Sequence, residues 1–517
     1  MPRFTLISPR IAVQKGDFLG SGVPYWPVEL ATLAGFLRDR GTPPMVIDML
    51  GNAPMRFEHR DDHFLQGETI DRFLDKPEVQ AADVFILYAM SYMSHGELIE
   101  IVRTLRRVRP EAKVAVLENS QAVTAYSLPR LAPDFFEAGA DALICGEPYF
   151  NWDAIEAFLT GAPGAERPGN VLTAGDAAAP LRLYQKKDGK YPIPAWELFR
   201  IEGYFKLPYS HGPKTPRFLP VLTSRGCPYP CDFCVVPETN DRRWRERSAA
   251  DVVEELIVLR DNFGVRDFQI EDLNPTVRHE RFDDICNLLI ERKAGIRFYI
   301  VSGTKAETVP IDQVPLLAKA GCRYISISPE SGSADLMKTI GKPFRYDHGL
   351  DLVTACRKHG IRTQACFLVG HPSETESDFE ASRSYLASMI RAGLDEVAVF
   401  VVAPFAGSAL YAQSRIGVTD TRAMPSFSPK GRADYEQVER RRSTLIKLFF
   451  AEKLRRGLDL WMQGLRAVLG RPQTKMENLP WRIAFIRWHT LWAKPSSISA
   501  PPSAPAQPSD IRASVRA

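Results

Sequence analysis

The sequence predicts an α/β protein with a doubly wound, flavodoxin-like N-terminal domain, a partial αβ (TIM-like) barrel and a helical C-terminal region. Three observations predict this architecture. Short apolar strand patterns alternate with helix patterns in two separate series, glycine- and proline-rich sequence lies between the series, and helical periodicity returns near the C-terminus. A chain of 517 residues is long enough for two or three domains.

The first series occupies residues 1–165. Candidate strands lie at 4–9, 45–49, 84–88, 114–117 and 142–145, with helices between them, for example at 27–40 and 97–108. Short apolar strands that alternate with helices are typical of a parallel sheet covered on both faces, and five of them suit a flavodoxin-like domain. Residues 166–215 are rich in Gly, Pro and Ala and are expected to form a linker, although 191–205 could pack on a domain.

The second series occupies residues 216–420. Candidate strands lie at 218–223, 267–271, 298–301, 324–328, 364–369 and 397–402, and candidate helices at 250–262, 281–292, 313–320, 346–359 and 376–392. Six strand–helix units predict a parallel αβ barrel, complete or partial. In such barrels the active site lies at the C-terminal ends of the strands.

The C-terminal region, residues 421–494, is predicted to be helical and is basic. Residues 431–494 hold 14 Lys/Arg against 6 Asp/Glu, and 481–492 combine Arg with three Trp. This region could be a helical cap on the barrel, or a basic amphipathic surface that contacts a membrane or a lipid-like substrate. Residues 495–517 are mostly Ser, Pro and Ala and are expected to be disordered.

Composition narrows the class of protein. A formal charge of +4 is small for this length and predicts no nucleic-acid partner. No apolar run is long enough for a transmembrane helix, and the N-terminus lacks a signal-peptide pattern, so a cytoplasmic location is expected. Eight cysteines in so long a chain do not make a disulfide scaffold, but three of them lie within eight residues.

These three cysteines belong to the segment TSRGCPYPCDFC, residues 223–234, directly after a predicted strand. Thiolates are the usual ligands of iron–sulfur clusters. Three thiolates on a four-iron cluster leave one iron open to the amino and carboxylate groups of a small molecule. Zinc is the alternative, but it usually takes four ligands, and the nearest candidates for a fourth are His211 and His279. The spacing therefore predicts a [4Fe–4S] cluster on Cys227, Cys231 and Cys234.

C-x3-C-x2-C at the end of the first barrel strand, with an aromatic residue before the last cysteine, resembles the motif of radical S-adenosylmethionine enzymes. The resemblance covers about residues 216–405. It implies that S-adenosylmethionine binds the open iron and that Phe233 packs near the adenine. It also implies cleavage to methionine and a 5′-deoxyadenosyl radical that abstracts a hydrogen atom, with electrons from a donor such as flavodoxin or ferredoxin.

Segments at later strand ends fit the same resemblance. FQIEDLNPT (268–276) offers Glu271 and Asp272 to the methionyl amine, and SISPESGS (326–333) offers Glu330 and Ser331 to the cofactor. FLVGHPSET (367–375) resembles the family's turn after the fifth strand, where Gly370 would allow close approach of the backbone to the adenosyl group. Ser302, at the end of the third strand, is a further candidate. Cys366 is expected to be a small core residue, or to face the lumen as a radical relay.

The N-terminal domain resembles that of the cobalamin-binding subclass. The similarity lies in VPYWPVELATLAGFLRDRGTPPMVIDM (23–49) and ADALICGEPYF (140–150). Two features depart from the subclass. The loop from Asp48, DMLGNAP, has no histidine to bind cobalt, and Glu118 and Asn119 stand where a glycine pair is usual. The alternative is a domain that keeps the fold without cobalamin.

These resemblances imply a cobalamin-dependent radical methyltransferase that acts on an unactivated carbon of a small-molecule or lipid-like substrate. In that chemistry methylcobalamin supplies the methyl group to a substrate radical. A radical enzyme that cyclises, oxidises or rearranges its substrate is the second hypothesis. A non-catalytic iron–sulfur protein is the third.

Overall fold

The computed structural model describes residues 2–17, 21–120, 124–176, 182, 190–413 and 432–495. These residues form two six-stranded, largely parallel sheets flanked by helices, followed by three C-terminal helices. The predicted fold class is confirmed. None of the described helices is long and apolar enough to cross a bilayer.

The described residues of the N-terminal half form nine strands: β1 (Phe4–Ser8), β2 (Ile11–Gln14), β3 (Met45–Asp48), β4 (Phe57–His59), β5 (His63–Gln66), β6 (Val84–Ala89), β7 (Lys113–Glu118), β8 (Ala142–Ile144) and β9 (Val171–Leu172). Its helices are α1 (Val28–Asp39), α2 (Met49–Asn52), α3 (Ile70–Leu74), α4 (Pro77–Ala81), α5 (His95–Val108), α6 (Ala132–Ala138), α7 (Trp152–Thr160) and α8 (Ile201–Lys206). The main sheet has the order β3-β1-β6-β7-β8-β9. Its five parallel strands follow the flavodoxin order, because the first strand lies between the second and third.

Part of the expected linker packs on this sheet. Strand β9 pairs antiparallel with β8, and α8 lies against α2. Trp196 and Tyr204 are buried, and the ring of Tyr204 stacks on Trp26 with centroids 4.2 Å apart. Aromatic burial therefore orders a segment whose glycine and proline content alone favours a loop.

In the barrel half, the part that the structure describes has eight strands: β10 (Phe218–Val221), β11 (Ser224–Arg225), β12 (Arg245–Glu246), β13 (Asp267–Ile270), β14 (Arg297–Thr304), β15 (Cys322–Glu330), β16 (Arg362–Val369) and β17 (Glu396–Val401). Its helices are α9 (Val236–Thr239), α10 (Ala249–Phe263), α11 (His279–Glu291), α12 (Val314–Ala320), α13 (Ala334–Thr339), α14 (Tyr346–Lys358), α15 (Glu376–Ala392) and α16 (Ala409–Gln413). The sheet order is β10-β13-β14-β15-β16-β17, all parallel. No described strand joins β10 to β17, so the barrel is partial.

The C-terminal helices are α17 (Tyr435–Arg455), α18 (Asp459–Val468) and α19 (Leu479–Thr490), followed by β18 (Lys494–Pro495), which pairs with β4. Helix α17 packs on α15 and β17. The end of the expected barrel (414–420), the start of the expected helical region (421–431) and the tail from 496 lie outside the described residues. One hydrophobic core runs through both halves, with Trp26 against Phe218 at 5.5 Å between ring centroids.

Candidate functional site

The cysteine loop begins where the first barrel strand ends. Gly226 has a φ of +74°, and a Cβ at this position would lie 2.1 Å from the carbonyl oxygen of Arg243. Only glycine fits this turn. The loop is then anchored by the backbone: the N–H of Asp232 donates to Ile340, and the N–H of Leu410 donates to Asp232. The turn and these anchors direct the cysteine side chains to one side.

Cys227, Cys231 and Cys234 all line one cavity of about 250 Å³ at the C-terminal end of the barrel strands. The side-chain amide of Asn274 donates to Cys227 Sγ over 3.2 Å. Among the described residues, no three His, Cys, Asp or Glu side chains converge on a single metal ion. Thiolates on a four-iron cluster bind different irons, whereas the ligands of a zinc site bind one ion.

The charge around the thiols favours a bound cluster. Burial raises the pKa of Cys231 to about 12 and raises those of Cys227 and Cys234 as well. Buried thiols release their protons when a metal takes their place. Burial by itself would lower the pKa of Lys342, but Glu330 and the thiols of Cys231 and Cys227 raise it above its ordinary value. A buried ammonium thus faces the position where thiolates would carry negative charge.

Three of the seven predicted cofactor residues line the cavity: Phe233, Ser302 and Glu330. The backbone conformation of Glu330 is unusual, because its φ of +58° is rare for a residue with a side chain. Its carboxylate accepts a hydrogen bond of 2.5 Å from Lys342 Nζ. Strained backbone of this kind is concentrated at functional sites.

The other four predicted residues do not line the cavity. The carboxylate of Glu271 contacts His211 Nδ1 at 2.5 Å. The carboxylate of Asp272 accepts hydrogen bonds from Thr223 and Ser224 of the cysteine loop. Ser331 is buried against Ser382, 3.0 Å away. Gly370 has a φ of +80°, but the space for its Cβ is filled by Val438 of α17. Their predicted contacts with the cofactor stay predictions.

Several cavity residues were not predicted from the sequence. They come from distant parts of the chain: Tyr25, His211, Asn274, Lys342, Gln364 and Lys475. Asn274 follows the end of β13, and that position is the one signal that could have indicated it, whereas Lys342 follows helix α13. Cys366 also lines the cavity, as the relay hypothesis requires, with its sulfur 3.5 Å from Ser326 Oγ.

One wall of the cavity is polar. His211, oriented by Glu271, lies beside Tyr25, and burial lowers the pKa of this histidine. Lys475, from the segment between α18 and α19, donates to Gln364 over 3.3 Å and to the carbonyl of Val301 over 3.2 Å. Burial also lowers the pKa of Lys475. This wall can donate and accept hydrogen bonds in a largely apolar space.

The opposite wall belongs to the N-terminal sheet. Ser91 and Tyr92 follow β6, and Thr124 and Ala125 follow β7. The ring of Tyr92 stacks on Phe405 of the barrel half at 5.2 Å, and its hydroxyl donates to the carbonyl of Ala406. The carboxyl edges of both sheets therefore face the same cavity.

The comparisons agree with this geometry. Residues 221–386 match the family model of the radical SAM superfamily. The chain carries a radical SAM domain. This finding confirms the resemblance drawn from the cysteine motif.

Relatives of the radical SAM domain have different activities. The chain is 28% identical over 228 residues to the cytidylyl-2-hydroxyethylphosphonate methyltransferase of Streptomyces wedmorensis, a match that covers 42% of each protein. It is 28% identical over 192 residues to the anaerobic magnesium-protoporphyrin IX monomethyl ester cyclase of Rubrivivax gelatinosus, covering 36% of this chain and 33% of the cyclase. The chain thus spans less than half the length of these curated relatives.

A solved structure shares the fold of both halves. The radical S-adenosylmethionine methyltransferase TsrM of Kitasatospora setae, solved with cobalamin and a [4Fe–4S] cluster, matches with a TM-score of 0.57 and 16% identity. The match covers 81% of this chain and 79% of TsrM. The arrangement of a flavodoxin-like domain before a partial barrel is therefore a known one.

Proposed function

We propose that this protein is a cobalamin-dependent radical S-adenosylmethionine methyltransferase that acts on an unactivated carbon of a small molecule. One observation carries the proposal: the cavity lined by the three cysteines is lined on its other side by the strand ends of the N-terminal domain. The methyltransferase among the relatives and the cobalamin in TsrM support the same assignment.

Cys227, Cys231 and Cys234 would hold the cluster, and Phe233, Ser302 and Glu330 would contact S-adenosylmethionine. When bound, the cluster and S-adenosylmethionine would supply a 5′-deoxyadenosyl radical, and cobalamin would supply the methyl group. Lys342 balances the charge of the thiolates and holds Glu330 in place. The largely apolar lining excludes water, which would otherwise compete for polar contacts with the substrate.

A corrin ring at the carboxyl edge of the N-terminal sheet would be held without a protein ligand to cobalt. The cavity lining there includes Tyr92, Ala125 and the barrel residue Phe405, and the lining residues from this domain include no histidine. Asp48, which opens the loop that lacks the usual histidine, accepts hydrogen bonds from Gly51 N–H and from Tyr204 of α8. Binding would then rest on burial of the ring and on hydrogen bonds to its edges.

The polar wall of His211, Gln364 and Lys475 would bind a polar group of the substrate and orient one carbon toward the cluster. We further propose a cytoplasmic location and an electron donor such as flavodoxin or ferredoxin. Within this function, we also propose that the substrate could be lipid-like.

The test uses anaerobically reconstituted full-length protein supplied with hydroxocobalamin, a strong reductant and methyl-deuterated S-adenosylmethionine. We expect 5′-deoxyadenosine, about one corrinoid per chain after gel filtration, and deuterium in the corrinoid fraction. The variant with Cys227, Cys231 and Cys234 changed to Ala should form no 5′-deoxyadenosine. Cys286→Ala, a buried cysteine outside the cavity, is the matched control and should behave as the unchanged protein.

Two results would contradict the proposal. Retention of no corrinoid by protein with an intact cluster would leave a radical enzyme without methyl transfer, such as a cyclase. Absence of 5′-deoxyadenosine from the fully reconstituted protein would leave the non-catalytic iron–sulfur hypothesis.

A further inference from the structure

Helix α18 is amphipathic, and its apolar side points away from the protein. Leu458, Trp461, Leu465, Val468 and Leu469 recur at helical spacing on one face, and Leu458, Trp461 and Val468 are 74%, 70% and 74% exposed. The opposite, polar face packs inward. Gln463 is buried and donates to the carbonyl of Asp395, and Arg466 pairs with the buried Glu477. This is the reverse of the arrangement expected for a surface helix of a globular protein.

Helix α19 extends the same exposed surface. Trp481 donates from its indole nitrogen to the carbonyl of Ala467, so its ring lies beside α18. Trp488 lies two turns further along the same face, and Trp492 follows the helix end. These three tryptophans are 51%, 64% and 76% exposed. We call the eight residues of α18, α19 and their ends the apolar surface.

The charge of this region indicates what covers the apolar surface. Residues 451–495 hold nine Lys/Arg against three Asp/Glu. Among the described side chains of this segment, Arg455, Arg471 and Arg487 are exposed and no Asp or Glu is. A second copy of the chain would bring a like charge to the contact and be repelled, whereas an anionic lipid surface would be attracted. Tryptophan favours the bilayer interface, and a helix with an apolar face and basic flanks lies in that interface with its apolar side in the lipid.

We propose that the apolar surface docks the protein on an anionic membrane, with α18 and α19 lying in the plane of the bilayer interface. Lys475 lies between these two helices and also lines the cavity. The segment that joins the membrane-facing helices is therefore part of the proposed substrate site. The inference concerns a surface outside the cavity and holds whether or not the protein is a methyltransferase.

The experiment is co-sedimentation of full-length reconstituted protein with vesicles of phosphatidylcholine, with and without phosphatidylglycerol. We expect binding to the anionic vesicles that weakens as salt is raised, because salt screens the attraction. The triple variant Trp461→Gln, Leu465→Gln, Val468→Gln should lose binding and keep its fold, since all three side chains are exposed. Arg471→Gln and Arg487→Gln should each weaken binding about fivefold.

Met45→Gln is the matched control, because Met45 is an exposed apolar residue of the N-terminal domain. It should bind vesicles as the unchanged protein does. The proposal is overturned if the unchanged protein ignores anionic vesicles, or if the triple variant binds them equally well. It is also overturned if light scattering shows a dimer that the triple variant abolishes while vesicles remain unbound.

Discussion

Asp272 offers a sharp test of how the barrel positions the cysteine loop. Its buried carboxylate accepts from Thr223 N–H and Thr223 Oγ1, both at 2.7 Å, and from Ser224 Oγ at 2.5 Å. Thr223 and Ser224 begin the cysteine loop, and Asp272 is not among the residues that line the cavity. We therefore expect Asp272→Asn to loosen the loop without removing a cofactor contact.

The expected loss of folding stability follows from these hydrogen bonds. The Asn oxygen can keep the bond to Thr223 N–H, but its NH₂ group cannot accept the hydrogen bonds that the hydroxyls of Thr223 and Ser224 donate to Asp272. Two buried hydrogen bonds are thus lost, at roughly 1 kcal/mol each. Burial raises the pKa of Asp272, so the neutral amide also relieves part of the cost of a buried charge. The variant should therefore lose at most about 2 kcal/mol, which corresponds to at most about 4–8 °C of melting temperature for a domain of this size.

The assay compares melting temperature, iron per chain and affinity for S-adenosylmethionine. We expect a lower melting temperature and less iron, with unchanged affinity in the fraction that holds a cluster. Asp284→Asn, the same chemical change on the exposed side of α11, is the control and should alter none of the three. Unchanged stability together with weaker binding of S-adenosylmethionine would refute the positioning role and favour the contact with the methionyl amine.

Three further predictions concern other parts of the molecule. Burial raises the pKa of Asp48 to about 6, so its protonated carboxyl stabilises the fold below about pH 4, and this stabilisation is lost as pH rises through about 6. The melting temperature of Asp48→Asn minus that of the unchanged protein should therefore be more positive at about pH 8 than at about pH 5. An equal difference at the two pH values would contradict this. Gly203→Ala places a Cβ 2.1 Å from the carbonyl oxygen of Gly51, so thermal melting should show a loss of about 1–3 kcal/mol. Gly464→Ala, which meets nothing within 4 Å, is its control and should not destabilise the protein. Asn274→Leu removes the hydrogen bond to Cys227 Sγ and should lower the reduction potential of the cluster in a redox titration, because such bonds raise it; an unchanged potential would show that the bond is not made in the loaded protein.

Local periodicity explains why so much of the barrel could be predicted. The strand expected at 267–271 is β13, Asp267–Ile270, and the helix expected at 376–392 is α15 with the same bounds. Three short strands were missed. Strands β2, β4 and β5 have three or four residues each, which is too few for a periodic pattern. β4 and β5 form a hairpin, and β2 pairs with β5 from an earlier part of the chain. Strand β9 and helix α8 were not predicted, because the glycine and proline residues around them in the sequence favour a linker.

The sequence by itself determined the chemistry of the loop. Three cysteines within eight residues are close enough in the chain to bind one cluster, and Gly226 supplies the turn that they need. Only the tertiary structure decided which other side chains share the cavity. Tyr25 and Lys475 lie near opposite ends of the chain, and Glu271 and Asp272 turn away from the space that their strand end suggests. The physical reason is that a side chain turns toward the hydrogen-bond partner that packing brings near it, here His211 for Glu271 and Thr223 for Asp272. Neither partner can be recognised from the sequence around these two residues.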